Sequence, residues 1–326
     1  MLALLEKGLS SPPPAPLLIY RDMSKLRQSC LLVVVLGLHA GAVSAAEPGA
    51  NSAVSLRERH AALSTQLNSN QFNEPLYLDS SEASGVLRGE IYARVDYPFE
   101  AVSAALNGPA HWCDVLILHV NTKYCRLSNT PNGDLMAVNI GSKKPQKLED
   151  TYRLEFTYRM VETTEAYFQV ELSAAKGPLA TSDYHIMMEA VALDGRQTFL
   201  HFSYSYAYGF AGRLAMKTYL ATTGRGKVGF TIVNEQAGGE PEYIHGVRGL
   251  VERNTMRYYL AIEAYLGAVA APPAEQLEDR LETWFAGTER YPRQLAEVDR
   301  AAYLEMKRSE YQRQQTPTGA TSEPQS

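Results

Sequence analysis

Thr198-Phe-Leu-His-Phe-Ser-Tyr-Ser-Tyr-Ala-Tyr-Gly-Phe210 decides how the rest of the chain is read. Side chains of a strand alternate between its two faces, so Leu200, Phe202, Tyr204, Tyr206, Tyr208 and Phe210 share one side. His201, Ser203, Ser205 and Ala207 take the other. The preceding segments carry the same alternation. Leu154, Phe156, Tyr158 and Met160 interleave with Arg153, Glu155, Thr157 and Arg159, and Phe168, Val170 and Leu172 interleave with Gln169 and Glu171. Strands are expected at 119–128, 135–141, 152–161, 166–174, 184–193 and 198–208, separated by Pro-Asn-Gly, a Lys/Pro-rich loop, Gly-Pro and Asp-Gly turns. Short strands at that spacing form an antiparallel sheet with one apolar and one wet side.

Working outward, Ile91, Ala93 and Val95 alternate with Tyr92, Arg94 and Asp96 in an earlier strand. Pro98 then opens a helix at 99–106, which Gly108-Pro109 stops. A second short helix at 110–118 carries Trp112. Upstream, 54–67 has apolar residues at 56, 63 and 67 and predicts a weak helix followed by a loop, so 46–84 is expected to be a helix and linker. Beyond the sheet the pattern gives a helix at 213–221, a strand at 228–233 and a long helix at 244–269. The long helix has a broad apolar face that includes Leu250, Val251, Met256, Tyr258, Ile262 and Tyr265. Ala-Pro-Pro-Ala ends it. A further helical stretch at 275–315, interrupted at Pro292, makes a C-terminal extension over 270–315, and 316–326 has the composition of a disordered tail. The fold class is α+β.

The amino-terminal region has a different character. Met23-Ser-Lys-Leu-Arg-Gln is positively charged, 30–38 is an apolar run of nine residues, and Val43-Ser44-Ala45 supplies small residues for a peptidase. The expectation is a signal peptide at 23–45 cleaved after Ala45, with export to the periplasm or beyond. Nine apolar residues are too few to span a bilayer. Residues 1–22 fit neither a signal nor a domain, and Met23 is the expected start. Removing 1–45 would take away four basic and two acidic residues and change the formal charge from -5 to -7.

Composition limits the partners. The chain has 326 residues with 45% hydrophobic and 21% charged, enough for a sizeable core, and its few basic residues are dispersed. No concentrated positive surface for nucleic acid is expected, nor an integral span in the mature chain. Cys113 and Cys125 remain after Cys30 leaves with the signal. They could form a disulfide or stay as buried thiols. His111 and His119 lie near them without the spacing of a zinc site, so no metal or other cofactor is expected.

Other motifs give little. Gly224-Arg-Gly226-Lys-Val-Gly229 matches a dinucleotide pattern, but that pattern needs a strand before it and a helix after it, and here the order is reversed. It is expected to be a turn. His60, His111, His119, His185, His201 and His245 form no catalytic series in sequence. Arg253 and Arg257, at i and i+4 of the long helix, could grip a carboxylate or phosphate headgroup; the alternative is a solvated face or pairing with acids of the sheet.

A strand followed by two short helices containing Tyr-Pro-Phe-Glu-Ala-Val (97–102) and Gly-Pro-Ala-His-Trp-Cys (108–113), then a meander, then a long helix, resembles the START-like helix-grip superfamily, also called SRPBCC, over 85–269. The resemblance implies a curved antiparallel sheet wrapped around a long C-terminal helix. It also implies a cavity between them for an apolar or amphipathic small molecule, such as a lipid. Phe156, Tyr158, Phe202, Tyr204, Tyr206 and Tyr208 are the candidate lining residues, with Arg253 and Arg257 for a headgroup. Rings that simply fill the core are the alternative. No catalytic residue is assigned. A cyclase or hydrolase using the cavity, and a protein-interaction module built on the C-terminal helices, are the other functions considered. The sequence names no protein partner.

Overall fold

The alternation around residues 198–210 becomes the inner part of an eight-stranded antiparallel sheet. The computed structural model describes residues 53–131, 133–222, 224–234 and 239–316. The expected leader and signal peptide at 1–45, and the tail from 317, lie outside the described residues.

Two helices come first, α1 (Ala53–Ala62) and α2 (Ser64–Asn68), followed by β1 (Leu76–Ala83) and β2 (Val86–Val95). Pro98 precedes α3 (Phe99–Leu106), and Pro109 opens α4 (Pro109–Leu116), where its missing N–H leaves no intrahelical bond unmade. The meander follows as β3 (Thr122–Thr130), β4 (Gly133–Ile140), β5 (Tyr152–Thr163), β6 (Tyr167–Lys176), β7 (Thr181–Ala192) and β8 (Thr198–Tyr208). Next come α5 (Phe210–Ala221), β9 (Ile232–Asn234), β10 (Glu242–Tyr243) and the long helix α6 (Gly246–Ala268). The extension consists of α7 (Gln276–Glu289), α8 (Pro292–Leu295) and α9 (Arg300–Gln315).

Strand order is β1-β2-β8-β7-β6-β5-β4-β3, so the strand before α3 pairs with the last strand of the meander. Helix α6 lies against β1, β2 and β8 on the concave side, the helix-grip arrangement. Gly89 of β2 permits the close approach, because a Cβ there would stand 2.2 Å from Thr255 Oγ1 of α6. The opposite side of α6 packs on α7, so the helix is buried nearly all round.

The structure differs from the sequence reading in three places. The stretch before residue 86 holds an eighth strand, β1, where a loop was expected. The expected strand at 228–233 begins only at Ile232. Before it the Glu252 carboxylate accepts from Phe230 N at 2.5 Å and Thr231 N at 2.9 Å, while Gly229 N donates to Ile244 O and Ile244 N to Thr231 O, so this backbone is held partly by a side chain and partly by two backbone bonds. The second side of the sheet is not wet throughout. Leu56, Leu63 and Leu67 from the first two helices cover Tyr92, Tyr167, Val191 and Phe199, and beneath them His201 sits between Glu189 (2.7 Å) and Glu90 (3.1 Å). On β5, farther from α1, the expected alternation of buried and exposed side chains holds. The C-terminal helices turn their apolar residues Leu281, Trp284, Phe285, Tyr303 and Met306 into the chain's own core, the packing that the sequence reading favours over a partner contact.

Gly224–Gly229 follows helix α5 as a turn, with Lys227 N donating to Gly224 O at 3.0 Å. Cys113 at the end of α4 and Cys125 of β3 form a disulfide, with Cα atoms 5.2 Å apart. Among the described residues no helix is long and apolar enough to cross a membrane, and no group of His, Cys, Asp or Glu is arranged to hold a metal ion.

Candidate functional site

Between α6 and the concave face lies a cavity of about 80 Å³, room for a few water-sized groups. Its aromatic wall comes from Tyr184 of β7, Tyr204 and Tyr206 of β8, Tyr219 of α5 and Tyr258 of α6. Its polar wall comes from Arg253, Asn254 and Arg257 of α6, Lys143 of the β4–β5 loop, and His119 and Asn121 ahead of β3.

The eight residues chosen from the sequence divide evenly. Tyr204, Tyr206, Arg253 and Arg257 border the cavity. Phe156 and Phe202 pack in the core beside it, Phe156 edge-on to Tyr184 and Phe202 5.9 Å from the Tyr258 ring. Tyr158 donates to Asn107 O at 2.6 Å, and Tyr208 donates to Glu82; both hydroxyls are used elsewhere. Lys143, His119 and Tyr219 were not found from the sequence, since only the folded topology brings their loops and helix to α6.

Both arginines are buried, at 1% and 2% exposure, which overturns the solvated-face alternative. Nor do they pair with acids of the sheet. Arg257 Nη2 donates to Glu297 Oε1 at 2.8 Å, and Glu297 belongs to the segment between α8 and α9. The same carboxylate meets Lys143 Nζ at 2.7 Å and Lys227 Nζ at 3.8 Å. Among the described residues Arg253 has no carboxylate partner; its Nη1 donates to Val228 O at 3.0 Å, with the Tyr219 hydroxyl close by. Among those residues one carboxylate therefore serves a neighbourhood of four cations.

Burial and that excess together set the titration behaviour. Burial first, and Arg257 second, push Lys143 down to about 8 and Arg253 down to about 10. Burial and the same arginine hold His119 well below its ordinary value, so its imidazole is neutral. His119 Nδ1 accepts from Asn121 N at 3.2 Å, which leaves the proton on Nε2.

Arg253 Nε and Nη2, Arg257 Nε and His119 Nε2 are buried with no hydrogen-bond partner among the described residues. With the imidazole in that tautomer, every one of these four atoms is a donor. Leaving a buried donor unpaired costs about 1–3 kcal/mol, and more for a charged group. The residues that line the cavity thus bring positive charge and buried N–H groups into the neighbourhood of five phenol rings. Such a wall suits a planar or tetrahedral oxyanion.

Comparison with known proteins gives structures only: no family model and no curated protein matches the sequence. Similar solved structures include an aromatase/cyclase from Streptomyces sp. R1128, 12% identical, covering 56% of this chain and 92% of that one, with a TM-score of 0.34. Norcoclaurine synthase from Thalictrum flavum is 15% identical over 46% of this chain and 80% of its own, TM-score 0.28. A START superfamily protein from Mycobacterium smegmatis is 10% identical over 42% and 89%, TM-score 0.29. On its own strand order and gripping helix, the fold is START-like. Likeness at this level does not reach ligand or chemistry.

Proposed function

We propose that this protein binds a small amphipathic anion, with its carboxylate, sulfate or phosphate group at Arg253, Arg257 and Lys143 and its apolar part against the tyrosine wall. The observation that carries this reading is the set of unpaired buried donors at the cavity. A bound oxyanion would supply the missing acceptors and offset the charge that depresses Lys143 and Arg253. The apolar ligand expected from the sequence becomes, on this reading, one with an anionic end. The cavity volume of about 80 Å³ takes the head group, so a larger body requires its walls to part.

Export belongs to the same proposal. The signal-like segment at 23–45 and a disulfide between Cys113 and Cys125 both suit a periplasmic or secreted protein, because disulfides persist in oxidising compartments.

The test is calorimetric titration of the exported protein with sodium sulfate and with 2-naphthoate, a head group without and with an aromatic body. Wild-type protein should bind both, the naphthoate more tightly. Arg253→Met should weaken each by about 10- to 100-fold, as loss of charge-assisted hydrogen bonds does. Equal affinity in Arg253→Met and wild type, or no binding to either, would overturn the proposal.

A further inference from the structure

Helix α5 has two faces with opposite environments. Gly212, Met216 and Tyr219 point inward, with Met216 Sδ 3.9 Å from the Tyr206 hydroxyl and Tyr219 forming part of the cavity wall. Outward stand Phe210 and Leu214, 86% and 58% exposed. At about 100° per residue, Phe210, Leu214 and Ala221 fall within about 40° of one another, opposite the buried face. Exposed large side chains are common singly, but two on one turn of a helix make a patch that calls for a partner.

Charge identifies that partner. Residues 195–234 contain no Asp or Glu, although the whole chain is net negative at -5. The segment from α5 onward carries Arg213, Lys217, Arg225 and Lys227. Arg213 and Lys217 are exposed on the flank of the apolar stripe. The β4–β5 loop adds Lys144 and Lys147, also exposed, and touches α5 through Lys143 Nζ and Tyr219 at 3.4 Å. Of the acids nearby, Glu82 accepts from Tyr208, Glu149 pairs with Lys147 and Asp183 accepts from Ser182, and the β4–β5 loop also exposes Asp150, so the excess of positive charge lies on α5 itself.

We infer that α5 docks on an anionic bilayer surface, with Phe210 and Leu214 entering the acyl boundary and Arg213, Lys217 and the β4–β5 lysines meeting lipid phosphates. An apolar stripe bordered by Arg and Lys is the pattern of a helix lying in a membrane interface, where apolar burial and attraction to anionic lipid act together. The inference goes beyond the cavity reading and does not depend on it. It places α5, which contributes Tyr219 to the wall of the anion cavity, at the surface where anionic amphiphiles are concentrated.

Co-sedimentation tests this, using the full chain and vesicles of phosphatidylcholine with or without phosphatidylglycerol, at low and high salt. Residues 1–45 are common to every variant, so differences between variants report on α5. Wild-type protein should sediment with the phosphatidylglycerol vesicles and be released by salt. Arg213→Gln with Lys217→Gln should weaken binding about 25-fold, from roughly five-fold per cation. Phe210→Ser with Leu214→Ser should weaken it at least 10-fold and leave the near-ultraviolet dichroism unchanged, which shows that the domain is folded. Indifference to phosphatidylglycerol, or wild-type binding by both double variants, would overturn the inference. So would a wild-type dimer dispersed by the Phe210/Leu214 variant without vesicle binding, because the patch would then be a protein contact. Loss of sulfate binding in Arg253→Met with vesicle binding retained, or the reverse, separates the fate of the two proposals.

Discussion

Glu310 is the carboxylate shared by two lysines that have no access to water. Lys123 Nζ lies 2.9 Å from Oε1 and Lys307 Nζ 2.8 Å from Oε2, and the ammonium groups also donate to the carbonyls of Val120, His119 and Thr122. Removing that carboxylate leaves two buried positive charges uncompensated, so Glu310→Gln should destabilise the protein by about 3–5 kcal/mol, measured as a shift in urea midpoint. A second prediction concerns Lys143. Its depressed value of about 8 means that an anion, which favours the charged amine, binds with proton uptake. Sulfate affinity should therefore be greatest below pH 8 and fall about ten-fold between pH 7 and pH 9.5, since sulfate itself does not titrate there. A flat profile, or a Lys143→Met variant with the same slope, would sink this assignment. Of the charged residues in the site, only Arg253 and Arg257 were legible from sequence, through their i, i+4 spacing. Lys143, His119 and Glu297 were not, because each reaches α6 from a different, distant segment.

Elements built by strict alternation were the most readable. Strand β8 and its neighbours follow their pattern because one face must enter a common core. The pattern misled where a second layer covers the other face: α1 and α2 contribute only a few leucines, too weak a stripe to announce that they cover the sheet. Strand β1 was missed for a related reason, since Leu76-Tyr-Leu-Asp-Ser-Ser-Glu-Ala83 is an edge strand whose second half is polar. Elements are also tied covalently. The Cys113–Cys125 bridge fastens α4 to β3 across a short loop, and a Cys113→Ser/Cys125→Ser variant should lose about 2–4 kcal/mol, read by thermal or urea unfolding. An unchanged midpoint under oxidising and reducing conditions would show that the bridge contributes nothing.

For the whole molecule, the helix-grip outline was legible, and inward packing of 275–315 was the favoured reading over a partner contact, but which of its charges would be buried was not. The structure buries Trp284, Phe285, Tyr303 and Met306 in the main core and sends Glu297 and Glu310 to buried cations. Deleting 275–326 should therefore yield an aggregating or molten product, seen by size-exclusion chromatography and loss of near-ultraviolet dichroism; a monomeric truncation with native dichroism would mean the extension is dispensable. The position of Glu310 has a temporal consequence. Synthesis runs from the amino end, so Lys123 leaves the ribosome long before its counter-charge exists. The interior around β3 cannot close until α9 has emerged, and a nascent chain stalled short of residue 310 should stay sensitive to protease even with all eight sheet strands already made.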